Sequence, residues 1–282
     1  MPRISPSLVR SASRISPLLP RLLPVCRTLQ SAEQELRWIQ AELPQDQWIQ
    51  AVIQRSRHVP LQYILGTQPF GHLEILCEKE TLIPRWETEE WATKICQKLK
   101  TVEQRGLKIV DFCTGTGCVA LLMASLLQRS EIFGKDVSPF ALNLSRKNQV
   151  HCHVDNVDFT YGDVFDPQVL KDVKMDLVTA NPPYISFKDY KGRGVERSVR
   201  SYEPKLALVG GNEFYTALVA NVLVPSQARG FVFELGYENQ FKHTESILPS
   251  SWECKLYYDG AGQPRCVIGW IKGSDMQCLK DI

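Results

Sequence analysis

The 282-residue sequence predicts an α/β fold: a doubly wound, Rossmann-like parallel sheet, preceded by a small helical domain and a β-hairpin linker. Three observations point there. From Leu107 onward, short apolar runs of strand length alternate with longer helical patterns, as in βαβ units. Between the first of these strands and a nearly all-apolar helix lies Thr114-Gly115-Thr116-Gly117, a tight loop where backbone can approach a ligand at the sheet's carboxyl edge. A later apolar run, residues 175–180, is stopped by Asn181-Pro182-Pro183-Tyr184. Two residues there lack an N–H, and Asn181 is pushed out of the α region.

Composition bounds the function. With 44% hydrophobic and 23% charged residues, the chain can bury a large core. A net charge of +2 is not the footprint of a protein held to nucleic acid by bulk charge. No apolar window reaches ~18 residues, so no membrane span is expected. Nine cysteines, with no C-x-x-C pair, fit a reduced compartment better than a disulfide framework. His151-Cys152-His153 lacks a fourth ligand at useful spacing, so no metal site is expected. Residues 1–30 carry Arg3, Arg10, Arg14, Arg21 and Arg27 with no acid before Glu33, the composition of a mitochondrial (matrix) targeting segment. Its boundary stays open, because Leu18-Leu19 and Leu22-Leu23 suit a folded helix as well.

Residues 31–66 read as a helical domain. One helix places Leu36, Ile39, Ala41 and Leu43 together and stops at Pro44. A second, from Asp46 to Arg57, groups Trp48, Ile49, Val52 and Ile53. Residues 67–92 read as a linker, with a hairpin made from Gly71–Cys77 and Thr81–Ile83. It leads into a helix over 88–100 capped by Thr88, with acids in the first turn. The large domain occupies 93–282. Its strands are expected at Ile109–Cys113, Glu131–Lys135, Val157–Tyr161, Met175–Ala180, Gly230–Leu235, Trp252–Tyr258 and Arg265–Ile271. Its helices are expected at Cys118–Leu127, Phe140–Val150, Phe214–Val224 and Asn239–Leu248, and a mobile basic loop at 186–200.

The chemistry follows from what ends each strand. Asp136 lies ~20 residues past the glycine loop, where such sheets place an acid that accepts from ribose hydroxyls. Gly162-Asp163-Val164-Phe165 offers an edge for an adenine ring. Asn181–Tyr184 presents an amide, two fixed carbonyls and an aromatic ring, a set suited to a planar –NH2 group, although a bare Pro-rich turn has the same sequence. All three fall on successive strand ends of one sheet. A nucleoside donor beside a held –NH2 implies group transfer to nitrogen, and S-adenosylmethionine is the donor that fits. The closing antiparallel pair of strands is the layout of a class I methyltransferase.

On these residues the chain resembles the HemK-type methyltransferases, which modify the glutamine side-chain amide of peptide-chain release factors, with the fungal mitochondrial branch the nearest in pattern. The resemblance rests on Pro60–Gly66, Ile83–Glu89, Asp111–Gly117, Asp136-Val137-Ser138, Asn181–Tyr184, Tyr202-Glu203-Pro204 with Ala207-Leu208, and Glu234-Leu235-Gly236. It implies donor contacts at Cys113, Thr114, Gly115, Thr116, Gly117, Asp136, Val164 and Asn181. It also implies glutamine contacts at Asn181, Pro182, Pro183 and Tyr184, with the front helices helping to recognise a mitochondrial release factor at its Gly-Gly-Gln loop. Asn181 Oδ1 and the Pro182 carbonyl would accept the two amide hydrogens, Tyr184 would pack on the amide plane, and no general base is needed before attack. Glu234 reads as structural or as a hydrogen-bond partner near the site. Two positions depart from the family: Cys113 stands where Gly is usual, and Trp86 where Pro is usual, so a ring over the donor or the hairpin is one expectation. Two other readings stay open from sequence. One is an adenine- or cytosine-amino methyltransferase on nucleic acid, because Asn-Pro-Pro-Tyr is shared with those enzymes. The other is a donor-binding factor without catalysis.

Overall fold

A computed structural model describes residues 4–192 and 194–282. The chain divides into two compact units, one of Met1–Thr67 with Glu196–Tyr202, the other of Gln68–Val195 with Glu203–Ile282.

The first unit is helical. α1 (Pro6–Ile15) starts at Ser5, whose hydroxyl accepts from the Leu8 N–H, and has Pro6 at its first position, where no N–H is needed. α2 (Leu19–Cys26) has Pro20 in its first turn for the same reason. α3 (Leu29–Glu42) is capped by Thr28, and α4 (Trp48–Ser56) follows a short 3₁₀ turn. α5 (Leu61–Leu65) ends at Gly66, which holds φ +90. α10 (Arg197–Tyr202) joins them; Tyr202 Oη donates to the Arg57 carbonyl at 3.0 Å. The core comprises Ala12, Leu19, Leu22 and Leu23 with Ala32, Leu36, Ile39, Ala51, Val52 and Leu61. The basic N-terminal stretch thus contributes two helices to this core; Arg3 lies outside the described residues. The expected apolar faces are narrower than the sequence suggested: Ala41 is exposed, and Ile49 is 61% exposed.

Arg55 binds Glu35 through two bonds, Nε–Oε2 at 2.6 Å and Nη2–Oε1 at 2.8 Å, and both side chains are largely buried. Breaking such a pair strands a desolvated charge. Glu35→Ala is expected to cost about 3 kcal/mol of stability, read by denaturant unfolding.

The hairpin, which belongs to the second unit from Gln68 onward, is formed by β1 (Thr67–Phe70) and β2 (Leu73–Leu76). It turns through Gly71 at φ +63, so the expected pairing of Gly71–Cys77 with Thr81–Ile83 is corrected. Thr81–Ile83 is not a strand, and the Ile83 N–H donates to Glu203 Oε2 at 3.1 Å instead of to a ladder.

The main sheet contains β3 (Lys108–Phe112), β4 (Glu131–Asp136), β5 (Val157–Tyr161), β6 (Leu177–Ala180), β7 (Gly230–Glu234), β8 (Trp252–Tyr258) and β9 (Pro264–Ile271) in the order β5-β4-β3-β6-β7-β9-β8. The first five in that order run parallel, and β9 is antiparallel to both neighbours. Central strands are buried on both faces and alternate strictly. Ile109, Leu177 and Val232 face Trp91, Ile95 and Leu121, while Val110, Phe112, Val178, Phe231 and Phe233 face Tyr215, Leu218 and Val222.

The covering helices are α6 (Trp86–Leu99), α7 (Cys118–Leu126), α8 (Pro139–His151), α12 (Asn212–Ala217) and α13 (Glu238–Ile247). After α12 the chain winds as a π-helix over Leu218–Leu223, where a regular helix was expected. The 186–200 stretch carries short helices, α9 (Phe187–Lys191) and the start of α10, followed by α11 (Lys205–Leu208); Arg193 is outside the described residues. Trp86 is the first residue of α6, 54% exposed, and is not among the residues that line the donor cavity. One further expectation is corrected at α6. Thr88 is not the cap: it is buried inside the first turn and its hydroxyl points to Glu234.

Candidate active site

The strand order reverses between β3 and β6, and Phe112 lies beside Ala180 across that pair. The residues that follow them, Cys113 and Asn181, therefore leave the sheet side by side at its carboxyl edge, the switch point where open α/β sheets bind ligands. A cavity of about 500 Å³ with mainly apolar walls opens there. Of the residues singled out in the sequence, Cys113, Thr114, Gly115, Thr116, Asp136, Val164, Asn181 and Pro183 line it. Gly117, Pro182 and Tyr184 do not. Gly117 sits at φ +82 ahead of α7, and a Cβ there would lie 2.8 Å from the Phe159 ring, so its part is to fix the loop against β5.

The loop is held from three sides. Asp136 Oδ2 accepts from the Gly115 N–H and Oδ1 from the Ser138 N–H, both at 2.9 Å. Burial pushes this carboxyl above its ordinary range, against those backbone bonds, which pull it down. Asn148, fully buried on α8, donates to the Thr116 carbonyl at 2.9 Å and pairs with both backbone groups of Leu76 on the hairpin. Asp111, at the heart of β3, accepts from Thr114 Oγ1 at 2.7 Å and from Thr179 Oγ1 at 2.8 Å.

Burial raises the Asp111 carboxyl to about 7, with Asp136 adding to it and the two threonines opposing it. An unfolded Asp titrates near ~4. Between these values the unfolded chain releases a proton that the folded one keeps, so stability falls as pH rises through this window and then levels. Asp111→Asn removes that slope. Its stability relative to the parent chain is expected to grow from pH 4 to 7, by on the order of 4 kcal/mol at pH 8, in parallel unfolding curves.

The rest of the wall places apolar surface opposite the loop. Val164 is buried and its carbonyl accepts from Asn221 Nδ2, which the π-helical segment presents, at 2.9 Å. Phe165 and Phe214 meet edge to face at 5.0 Å, and Phe140 lies in the first turn of α8. Arg85 also reaches the cavity, tied to the buried Glu203 at 2.6 Å.

Asn181–Tyr184 is fixed from behind. Tyr184 Oη donates to Glu234 Oε1 at 3.3 Å, its carbonyl accepts from Gln240 Nε2 at 3.0 Å, and its ring lies so close to Gly236 that a Cβ there would meet it at 2.8 Å. The same Gln240 accepts the Gly236 and Tyr237 N–H groups. Asn181 Nδ2 lies 3.4 Å from Thr88 Oγ1. Glu234 is buried and accepts from Thr88 at 2.6 Å and from Trp91 Nε1 at 2.8 Å. Its desolvation raises its pKa, opposed by these bonds and by Arg265.

A methyltransferase small domain model matches residues 92–224. The mitochondrial MRF1 N(5)-glutamine methyltransferase MTQ1 of Saccharomyces cerevisiae is 41% identical over 96% of this chain and 89% of its own length. The probable MRF1 mitochondrial N(5)-glutamine methyltransferase of Schizosaccharomyces pombe is 36% identical over 90% and 93%. The release factor glutamine methyltransferase of Thermodesulfovibrio yellowstonii is 31% identical over 79% and 81%. The chain belongs to the release factor glutamine methyltransferases. It is therefore a protein N5-glutamine methyltransferase, on a class I Rossmann-like fold. Solved structures agree on the fold: the N-terminal domain of human METTL16 aligns with a TM-score of 0.54 at 15% identity, covering 85% of this chain and 95% of that one. The human methyltransferase 10 domain containing protein aligns at 0.52 and 18%, covering 72% and 90%.

Seen as a methyltransferase, the site has parts that sequence reading passed over. Asp111, Arg85, Phe140 and Phe214 belong to the cavity; Asp111 and Arg85 fall within the stretches that carry the resemblance but take no role from it, and Phe140 and Phe214 carry only an ordinary apolar signal in sequence. Cys113 adopts φ +56, a left-handed conformation that glycine holds with less strain, in keeping with the glycine that the family resemblance leads one to expect there. His151 faces Glu74 at 3.7 Å and the Cys152 thiol donates to the Glu74 carbonyl, so that polar cluster is engaged with β2. Among the described residues no helix is long and apolar enough to cross a membrane.

Proposed function

We propose that the chain methylates the glutamine of the Gly-Gly-Gln loop of a mitochondrial peptide-chain release factor in the matrix, with S-adenosylmethionine as donor. The carrying observation is positional: Asn181 is both a wall of the switch-point cavity and the first residue of the stiff Asn-Pro-Pro-Tyr turn. The fungal relatives' mitochondrial names and the arginine-rich, acid-free start of the chain support the compartment.

The cavity residues fit the donor. Asp136 lies where ribose hydroxyls need an acceptor. The apolar wall of Val164, Phe140 and Phe214 suits a flat ring, and Gly115 at φ +57 has no atom closer than 4.0 Å to where a Cβ would stand, so backbone meets ligand there unobstructed. When bound, the donor supplies an electrophilic methyl group. The chain's own residues do the rest. Asn181 Oδ1 and the Pro182 carbonyl accept the two hydrogens of the substrate carboxamide, which turns the nitrogen lone pair into the cavity and steadies the positive charge that grows on nitrogen. Pro183 braces the turn, and Tyr184 holds its shape through Glu234 and Gln240. Holding both partners this way is worth up to ~7–11 kcal/mol of barrier.

The test is direct. The full chain is incubated with methyl-labelled S-adenosylmethionine and a recombinant mitochondrial release factor, and the label is mapped by mass spectrometry. Label on the Gly-Gly-Gln glutamine is expected; label elsewhere, or none, refutes the assignment.

A further inference from the structure

We infer that Thr88 and Glu234 are positioning residues that set which end of the Asn181 side-chain amide faces the substrate. The inference rests on the reading of Asn181 as the hydrogen-bond acceptor and extends it to two residues outside the Asn-Pro-Pro-Tyr turn.

The argument is a count of protons. Trp91 Nε1 is a donor with no acceptor capacity, and it lies 2.8 Å from Glu234 Oε2, so that oxygen accepts. Thr88 Oγ1 lies 2.6 Å from the same oxygen. A threonine hydroxyl has one proton, and a carboxylate has none to return, so the Thr88 proton is committed to Glu234. Thr88 then has only lone pairs left to offer. The Asn181 group 3.4 Å away must be the donor end, Nδ2. Asn181 Oδ1 is left for the substrate, which is the end needed to accept from a carboxamide –NH2. With the opposite orientation Asn181 would present two donors to two donors.

Three elements carry this relay. Thr88 and Trp91 lie three residues apart on one face of α6, Glu234 ends β7, and Asn181 follows β6. Tyr184 Oη takes the other carboxylate oxygen, so Glu234 orients both ends of the turn, Asn181 through Thr88 and Tyr184 directly. The carboxylate end of the relay is dry: Thr88, Trp91 and Glu234 are each at most 2% exposed, while Thr88 and Asn181 meet at the cavity wall.

The test separates orientation from general damage. Thr88→Val keeps the shape and removes the hydroxyl. With the full chain, release-factor substrate and labelled donor, assayed well below the melting temperature, it is expected to lower kcat about 10–100-fold while the donor Kd changes little; the Tm falls as well, because Glu234 Oε2 keeps only the Trp91 N–H, and Thr88→Ser recovers most of both losses. In the Asn181→Ala background Thr88→Val should cause no further loss, because its effect passes through Asn181. Glu234→Gln is expected to stay within about tenfold of the parent kcat, since the Trp91 N–H holds the oxygen end of the new amide toward Thr88. Additive losses in the double variant, full activity in Thr88→Val, or a Glu234→Gln collapse as deep as that of Asn181→Ala would overturn the relay. Unchanged turnover in Asn181→Ala would instead refute the acceptor role from which the relay starts.

Discussion

Asn181→Ala is expected to lower kcat for glutamine methylation by about 10²–10³-fold, the usual cost of deleting one preorganised polar partner from a reacting centre. The fold should survive. Asn181 is only partly buried, its one bond to Thr88 is long at 3.4 Å, and the turn it opens is kept by Pro182, Pro183 and the two anchors on Tyr184. Single-turnover rates at saturating donor, beside a thermal melt, check both halves. A variant with normal kcat and a raised KM would mean that Asn181 binds substrate without acting on the reacting nitrogen.

Asp136→Asn is expected to weaken donor binding by roughly 10–100-fold, the loss of a hydrogen bond to a charged group of about 1.5–3 kcal/mol. The carboxylate already accepts from the Gly115 and Ser138 N–H groups, one on each oxygen. An amide in its place must turn its –NH2 toward one of those N–H groups. The substitution therefore removes the acceptor and also loosens the glycine loop. Equilibrium titration with donor reads the effect. A Kd within threefold of the parent would show that Asp136 serves the loop alone.

Much of the fold was legible because central strands and covering helices write themselves in period and length. Val157–Tyr161 and Trp252–Tyr258 sit where the pattern placed them, and the other main-sheet strands lie within a residue or two of expectation. The hairpin was misplaced because Thr81–Ile83 is as apolar as a strand, and only the distant Glu203 shows that its N–H is spoken for by a side chain. Thr88 was misread for a related reason. A threonine before acidic residues is a good cap by local rules, and nothing nearby in sequence reveals that a carboxylate 146 residues away claims its hydroxyl. The candidate site divides the same way. Residues tied to turn chemistry, such as Gly115, Asn181 and Pro183, stood out. Residues that matter through long-range pairing, such as Asp111, Glu203 and Glu234, did not announce their partners.

Cys113 carries one further consequence. Its thiol lines the cavity of a methyl-donor enzyme, and a thiolate there would outcompete a carboxamide for any activated methyl group. The protein keeps that rival disarmed. Burial, then the negative charges of Asp136, Asp111 and Asp163, push the thiol well above its ordinary pKa. Burial and the neighbouring acids thereby keep this cavity thiol in its neutral, weakly nucleophilic form, a small soft surface in the wall rather than a competitor for the methyl group.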